Sequence, residues 1–283
     1  MCPESERIKI IIQNALKEDV GDGDHSSLLS IGPEIEGISR LLVKEEGVLA
    51  GMGVAAQVFQ EVDPQLKMNS FKKDGDQVHK GDIAFEVQGK VQSILVAERL
   101  VLNIMQRMSG IATTTHEYVS LIAGTHARLL DTRKTTPNLR VLEKMAVRIG
   151  GGYNHRMGLY DMIMLKDNHI DFAGGLKNAL EKTNYYLKEK HLDLKVEIET
   201  RSLEDVSLAL SLGGFHRIMF DNFKPEQVAE GVKMVQGRYE TEASGNITKE
   251  NIRSYAETGV DFISVGALTH SVKSLDLSLK AVR

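Results

Sequence analysis

Residues 194–237 read LKVEIETRSLEDVSLALSLGGFHRIMFDNFKPEQVAEGVKMVQG, strand-like and helix-like runs in strict alternation. The runs at 194–198 and 217–220 have the length and apolar content of buried strands. After the first, Ser202 with Asp205 forms a capping box ahead of Leu203, Val206 and Ala209. After the second, Pro225 stands at a first helical turn ahead of Val228, Val232 and Val235. Gly213 and Gly237 close the two helices. A strand followed by a helix, repeated in order, predicts parallel strands crossed over by helices.

The same alternation extends in both directions. Apolar runs at 127–130, 161–165, 239–243 and 261–265 bring the strands to six, two fewer than a complete α/β barrel has. Upstream the texture changes. Ile8, Ile11, Ile12, Ala15 and Leu16 mark a helix over 5–20 with Ser5 as its N-cap, and 38–95 carries short strand-like runs such as SRLLVKEEGVLAG and DIAFEV. A helix over 94–108, with Ala97, Val101, Ile104, Met105 and Met108 on its apolar face, is expected to break at Ser109-Gly110 and join the two parts. The predicted fold is α/β, an incomplete parallel α/β barrel over 113–267 preceded by a smaller α+β sandwich domain over 1–112. The tail 268–283 is grouped with the first domain.

Composition narrows the function. A chain of 283 residues with 42% hydrophobic and 26% charged residues buries a substantial core, and a formal charge of −4 gives nucleic acid no general attraction. No apolar stretch is long enough to span a bilayer, and the first residues lack a basic and then apolar leader, so a cytoplasmic location is expected. Cys2, the single cysteine, is expected to be an exposed terminal thiol outside any disulfide or metal cluster.

Active sites of parallel barrels lie at the C-terminal ends of the strands. After the successive runs come Asp131, Arg133 and Lys134; Lys166, Asp167, Asn168 and His169; Glu199; Asp221 and Asn222; Ser244, Gly245 and Asn246; and Gly266 with Ala267. One charged strand end is ordinary, but six polar ends in succession imply a site. Arg133, Lys134 and Lys166, joined by His155 and Arg156 from GGYNHR, form a donor set suited to a polyanion, in which arginine grips a carboxylate with two bonds. The small residues at 244–246 and 266–267 suit a phosphate held by backbone N–H groups, although each loop read alone serves equally as a tight turn. Glu199 and Asp221 add oxygen ligands for a divalent cation, or negative charge to stabilise a developing positive one. Mg²⁺ bridging a phosphate is the natural ion, and the His and Cys spacing of a zinc site is absent.

These residues carry a resemblance. ERLVLNIMQRMSGIAT (98–113), DTRKTTPNLRVLEKMAVRIGGGYNHRMGLYDMIMLKDNH (131–169), EASGNI, GVDFISVGALTHS and the opening EDVGDGDHSS resemble the quinolinate phosphoribosyltransferase family across essentially the whole chain. His25 and Met145 depart from residues more frequent in that family. The resemblance implies conversion of quinolinate and 5-phosphoribosyl 1-diphosphate into nicotinate mononucleotide, CO₂ and pyrophosphate in NAD biosynthesis, with no organic cofactor. It implies quinolinate ligands at Arg133, His155, Arg156 and Lys166, with Lys134 beside the diphosphate. It places Glu199 and Asp221 at the ribose and metal, and Ser244, Gly245, Asn246, Gly266 and His270 at the phosphate end. It also implies a homodimer in which Arg99 reaches the neighbouring subunit's site, with association beyond the dimer left open.

Two other readings stand beside it. KKDGDQVHKGDIAFEVQGKVQSIL resembles a lipoyl or biotinyl carrier hairpin, but Glu86 is followed by Val87 and Gln88 where a modifiable lysine is needed. The nearer alternative is a related phosphoribosyltransferase acting on nicotinate or another small aromatic acid. The cation set of Arg133, Arg156 and Lys166 favours a dicarboxylate.

Overall fold

The computed structural model describes residues 4–282; Cys2 lies outside them. In chain order the elements are α1 (Glu4–Val20), α2 (His25–Ser30), β1 (Glu36–Val43), β2 (Gly47–Val48), α3 (Met52–Val62), β3 (Lys67–Ser70), β4 (Gln77–Val78), β5 (Ile83–Lys90) and α4 (Val91–Leu121). Next come β6 (Arg128–Leu130), α5 (Arg140–Ile149), β7 (Ile163–Leu165), α6 (Asp167–Ala173), α7 (Leu176–Glu189), β8 (Val196–Thr200), α8 (Leu203–Leu212), β9 (Arg217–Asp221) and α9 (Pro225–Val235). The chain ends with β10 (Glu240–Ser244), α10 (Ile252–Ala256), β11 (Phe262–Ser264), α11 (Ala267–His270) and β12 (Leu277–Ala281). It divides into one compact unit of Met1–His116, Thr135–Gly151 and Leu268–Arg283 and a second of Glu117–Lys134 and Gly152–Ala267.

The first unit is built on a four-stranded antiparallel sheet, β12-β1-β5-β3. β12 pairs with β1 from Ser39↔Ala281 to Val43↔Leu277, so the last strand of the chain flanks the first. Leu41, Val43, Phe85 and Val87 are buried on this sheet, and Phe59 of α3 meets Phe85 edge to face at 5.7 Å. α1 begins at Glu4, so Ser5 sits inside its first turn rather than capping it.

The expected break at Ser109-Gly110 does not occur, because α4 runs unbroken for 31 residues. The two residues are there for close approach. A Cβ at position 110 would lie 2.2 Å from the Lys273 carbonyl oxygen, so only glycine lets the helix cross that strand of chain. Ser109 Oγ accepts from Ala50 N at 2.9 Å, giving a buried amide its partner. The polar stripe of the helix divides as well. Arg107 bonds Glu143 at 2.9 Å and, with Asn103, lines a cavity of about 330 Å³, whereas Arg99 is exposed.

The second unit holds the predicted strands in one six-stranded parallel sheet, ordered β6-β11-β10-β9-β8-β7. Consecutive strands β6 and β7 lie at its opposite edges, which is the incomplete barrel expected. Local signals act as read: Ser202 Oγ accepts from Asp205 N at 3.1 Å and Pro225 opens α9. Asp205 Oδ2 returns to Arg201 N at 3.0 Å, one residue before the cap. Parallel strands buried on both faces are normally apolar throughout. Here every residue of β8 is buried, yet alternate positions are Glu197 and Glu199. In register, Glu197 faces Arg217 and Ser244 faces Asp221. One face of the sheet is therefore polar and charged.

Candidate active site

Arg133 and Arg156 reach the same place because the segment carrying Arg156 is tied to the end of β6. Tyr153 extends β6 by a parallel bridge to Leu130. Beyond it, Asp131, fully buried, accepts from His155 N at 2.8 Å and from Asn154 Nδ2 at 2.6 Å. On the far side, Asp161 accepts from Met157 N at 2.6 Å and Gly158 N at 2.8 Å, closing the turn. Arg156 is buried and donates to the Met162 carbonyl at 3.2 Å. Burial and the neighbouring Arg133 guanidinium both lower its affinity for its proton, with Glu197 and Asp161 opposing them. Two guanidinium groups close enough to repel gain from an anion. Lys134 is exposed, its amide held by Thr132 Oγ1 at 3.1 Å.

Lys166 leaves β7 at the start of α6, and its amide donates to His169 Nδ1 at 3.0 Å. Its Nζ lies 3.3 Å from Glu199 Oε2 at the end of β8. Asp221, at the end of β9, is held above the usual carboxylate range by burial and by the charge of Glu199, against which Asn222 and Lys166 act. These are oxygen donors whose mutual repulsion a divalent cation would relieve, a chemistry that fits Mg²⁺.

The ends of β9 and β10 interlock. Asn222 adopts φ +59° and donates to Asp221 Oδ2 at 2.7 Å, while its own Oδ1 accepts from Asn246 Nδ2 at 3.0 Å. Gly245, at φ +93°, leaves room for this: a Cβ there would meet Asn222 Oδ1 at 2.3 Å. The turn thus requires glycine. Gly266 and Ala267 are half-buried after β11, and His270 is exposed with Nδ1 2.7 Å from Ser271 Oγ. Of the expected site residues, Arg99 and His270 belong to the first unit and the others to the second.

A deeper layer was not legible as functional. His155 is buried, with Nε2 3.0 Å from Glu197 Oε2 and 3.5 Å from Glu242 Oε2. Glu242 also takes Arg217 Nη1 at 3.0 Å. Burial and Glu242 raise Glu197 to about 7, against the pull of His155 and Arg217. Burial disfavours charge on His155, but the two carboxylates outweigh it and carry its value up to about 9. The available signal was the alternation E-x-E in VEIET and ETEAS, which places two carboxylates per strand on one face.

Fold and rim together define an α/β protein that brings basic side chains and paired carboxylates to the ends of parallel strands. The chain belongs to the quinolinate phosphoribosyltransferase family: residues 26–109 match Quinolinate phosphoribosyl transferase, N-terminal domain, and residues 111–280 match the C-terminal domain. It is 48% identical to quinolinate phosphoribosyltransferase [decarboxylating] 1b of Nicotiana tabacum over 96% of this chain and 82% of the relative. It is 44% identical to the probable nicotinate-nucleotide pyrophosphorylase [carboxylating] of Bacillus subtilis, over 96% and 93%. The crystal structure of NadC from Streptococcus pyogenes is similar throughout both chains, with a TM-score of 0.93 and 39% identity, covering 100% of each.

Proposed function

We propose that the protein is a decarboxylating quinolinate phosphoribosyltransferase of NAD biosynthesis. It joins quinolinate to 5-phosphoribosyl 1-diphosphate and yields nicotinate mononucleotide, CO₂ and pyrophosphate. The observation that carries this reading is Lys166 beside Glu199 and Asp221 at the ends of the adjoining strands β7, β8 and β9, with Arg133 and Arg156 paired at the end of β6. Membership of the family supports the substrates.

The pyridine nitrogen attacks ribose C1 as the C1–O bond to diphosphate breaks, and the diphosphate leaves with the electron pair. Arg133, Arg156 and Lys166 bind the two carboxylates and orient the ring; His155 belongs to this set through its place beside Arg156. Glu199 and Asp221 face positive charge that builds on the ribose only in the transition state. Ser244, Gly245, Asn246, Gly266 and Ala267 take the 5-phosphate end. Glu199 and Asp221 would also hold Mg²⁺, which when bound supplies charge neutralisation to the leaving diphosphate, a task shared by Lys134. Once the nitrogen is quaternary, the C2–carboxylate bond breaks, CO₂ departs, the ring cation stabilises the electron pair left on C2, and a proton replaces the lost group.

Arg99 is assigned to the partner's site in a homodimer, and the setting is the cytoplasm. No described helix is long and apolar enough to cross a membrane. The test is release of labelled CO₂ from quinolinate in the presence of phosphoribosyl diphosphate and Mg²⁺. Formation of nicotinate mononucleotide from nicotinate, with no CO₂ from quinolinate, would overturn the substrate.

A further inference from the structure

Below Arg156 the polar face of the sheet carries a chain of charges to which the reaction above gives no task. Glu240 Oε2 accepts from Arg217 Nε and Nη2 at 3.2 and 3.0 Å, and Arg217 Nη1 continues to Glu242 Oε2 at 3.0 Å. The chain ends at His155, whose Nε2 is 3.0 Å from Glu197 Oε2 and 3.5 Å from Glu242 Oε2. Glu197 and Glu242 have no exposed surface, and Arg217 stacks over the Phe262 ring at 4.1 Å. Buried ion chains are seldom the most stable filling of a core, so their presence asks for a use.

The other ring nitrogen supplies one. His155 Nδ1 accepts the Arg156 backbone N–H at 2.7 Å, so its lone pair is in use and the ring hydrogen belongs on Nε2. A hydrogen on Nδ1 would point at the amide hydrogen. The two carboxylates favour a second ring proton, which could only sit on Nδ1, and the Arg156 amide bonded there opposes it. The Nε2 hydrogen is drawn by both carboxylates and lies in line with neither, so together they fix the plane and tautomer of the ring rather than make one directed bond. His155, Glu197 and Glu242 offer three ligand atoms within 4.8 Å of one another. A metal there would need the Nε2 lone pair, hence a hydrogen on Nδ1, and would compete with Arg217 for Glu242.

We propose that Glu197, seconded by Glu242, is a positioning residue of the quinolinate site: it holds His155 in its Nε2–H form, and His155 holds the Arg156 backbone so that the guanidinium meets the dicarboxylate. This rests on the function proposed above. Glu197 touches no reacting atom and acts through the ring.

Two variants of similar volume separate positioning from packing. In Glu197→Gln a neutral amide oxygen still faces Nε2–H. In Glu197→Leu the site is filled but the acceptor is gone; losing one member of a buried charge group costs stability, so a cooperative thermal melt and the unchanged KM for phosphoribosyl diphosphate serve as the control that the chain stays folded. Glu197→Gln is expected to bind quinolinate within about threefold of the parent, whereas Glu197→Leu raises Kd and KM for quinolinate by roughly tenfold or more with KM for phosphoribosyl diphosphate unchanged. Nitrogen-15 spectra of the parent and of Glu197→Gln are expected to show the His155 ring hydrogen on Nε2, and Glu197→Leu to lose that protected signal. Glu197→Leu binding quinolinate as the parent does, Glu197→Gln failing as badly as Glu197→Leu, or a parent ring protonated on Nδ1 would each overturn the proposal. A parent that binds no quinolinate removes the functional reading, whereas one that binds it while both variants match it removes only the role of Glu197.

Discussion

Lys166 Nζ stands 3.3 Å from Glu199 Oε2 across the ends of the neighbouring strands β7 and β8, whose register pairs Leu165 with Ile198. One member of this pair is proposed for the anion set and the other for the carboxylate pair, so the two halves of the proposed site meet here. Glu199 is only 8% exposed, and its charge helps hold Asp221 above the usual carboxylate range.

Removing these carboxylates is therefore expected to affect the chemical step more than binding. Glu199→Ala and Asp221→Ala should each lower kcat by roughly a hundredfold or more, while quinolinate Kd stays within a few-fold of the parent, because the charge they stabilise exists only in the transition state. Steady-state rates beside calorimetric titration decide it. Loss of quinolinate binding equal to the loss of rate would assign the pair to the ground state.

Arg156→Ala should show the opposite division. The guanidinium is buried and already near Arg133, so its removal takes away charged hydrogen bonds that no water replaces well. Quinolinate affinity is expected to fall roughly 10- to 100-fold. Unchanged affinity by calorimetry would take Arg156 out of the anion site.

How much of this was readable in the chain depends on whether the signal was local. The strand and helix alternation, the Ser202 cap and Pro225 at the start of α9 are short-range patterns, and each appears where it was read. Ser109-Gly110 misled because its reason is a segment more than 150 residues away: the Lys273 carbonyl forbids a Cβ at 110, which propensity alone reads as a helix end. The deeper layer was missed for a related reason. Glu197, Arg217 and Glu242 look like ordinary surface charges in isolation, and only the register of β8, β9 and β10 turns them to one buried face. Asn222 followed a strand end in plain view, but its link to Asn246 depends on φ +59° at one residue and a glycine at the next strand's end.

The lower edge of the sheet carries a pH prediction. Asp261 Oδ2 accepts from Thr241 N at 2.8 Å and Thr241 Oγ1 at 2.7 Å, tying the start of β11 to β10. Burial alone would raise its pKa, but these bonds and His126 outweigh it and bring it below its ordinary 3.8. A depressed carboxylate stabilises the fold above its unfolded value and loses that contribution as pH falls through the folded one. Asp261→Ala is therefore expected to cost about 1–2 kcal/mol near neutral pH, with the gap to the parent narrowing only in acid below the ordinary value. Denaturant titrations of both proteins over a pH series measure the gap, and one that grows as pH falls would contradict the sign.

Arg99 gives the prediction on which the shared site stands. It is exposed on α4 in the first unit, while Lys134 is exposed in the second. A helix face with Arg99 followed by Asn103 and Arg107 would ordinarily be read as solvated, but Arg107 is engaged with Glu143 and Asn103 lines a cavity, which leaves Arg99 as the projecting cation of the stripe. If it completes the anion pocket of a second copy across a two-fold axis, activity requires the dimer. Arg99→Ala and Lys134→Ala homodimers should each be nearly inactive. A heterodimer of the two should recover about half of the parental rate, since one site then takes Lys134 from one chain and Arg99 from the other and the second site lacks both. Co-expression with two tags, isolation of the heterodimer and CO₂ release measure this directly. A verified heterodimer no more active than its parents would place Arg99 in its own chain's site or outside the chemistry.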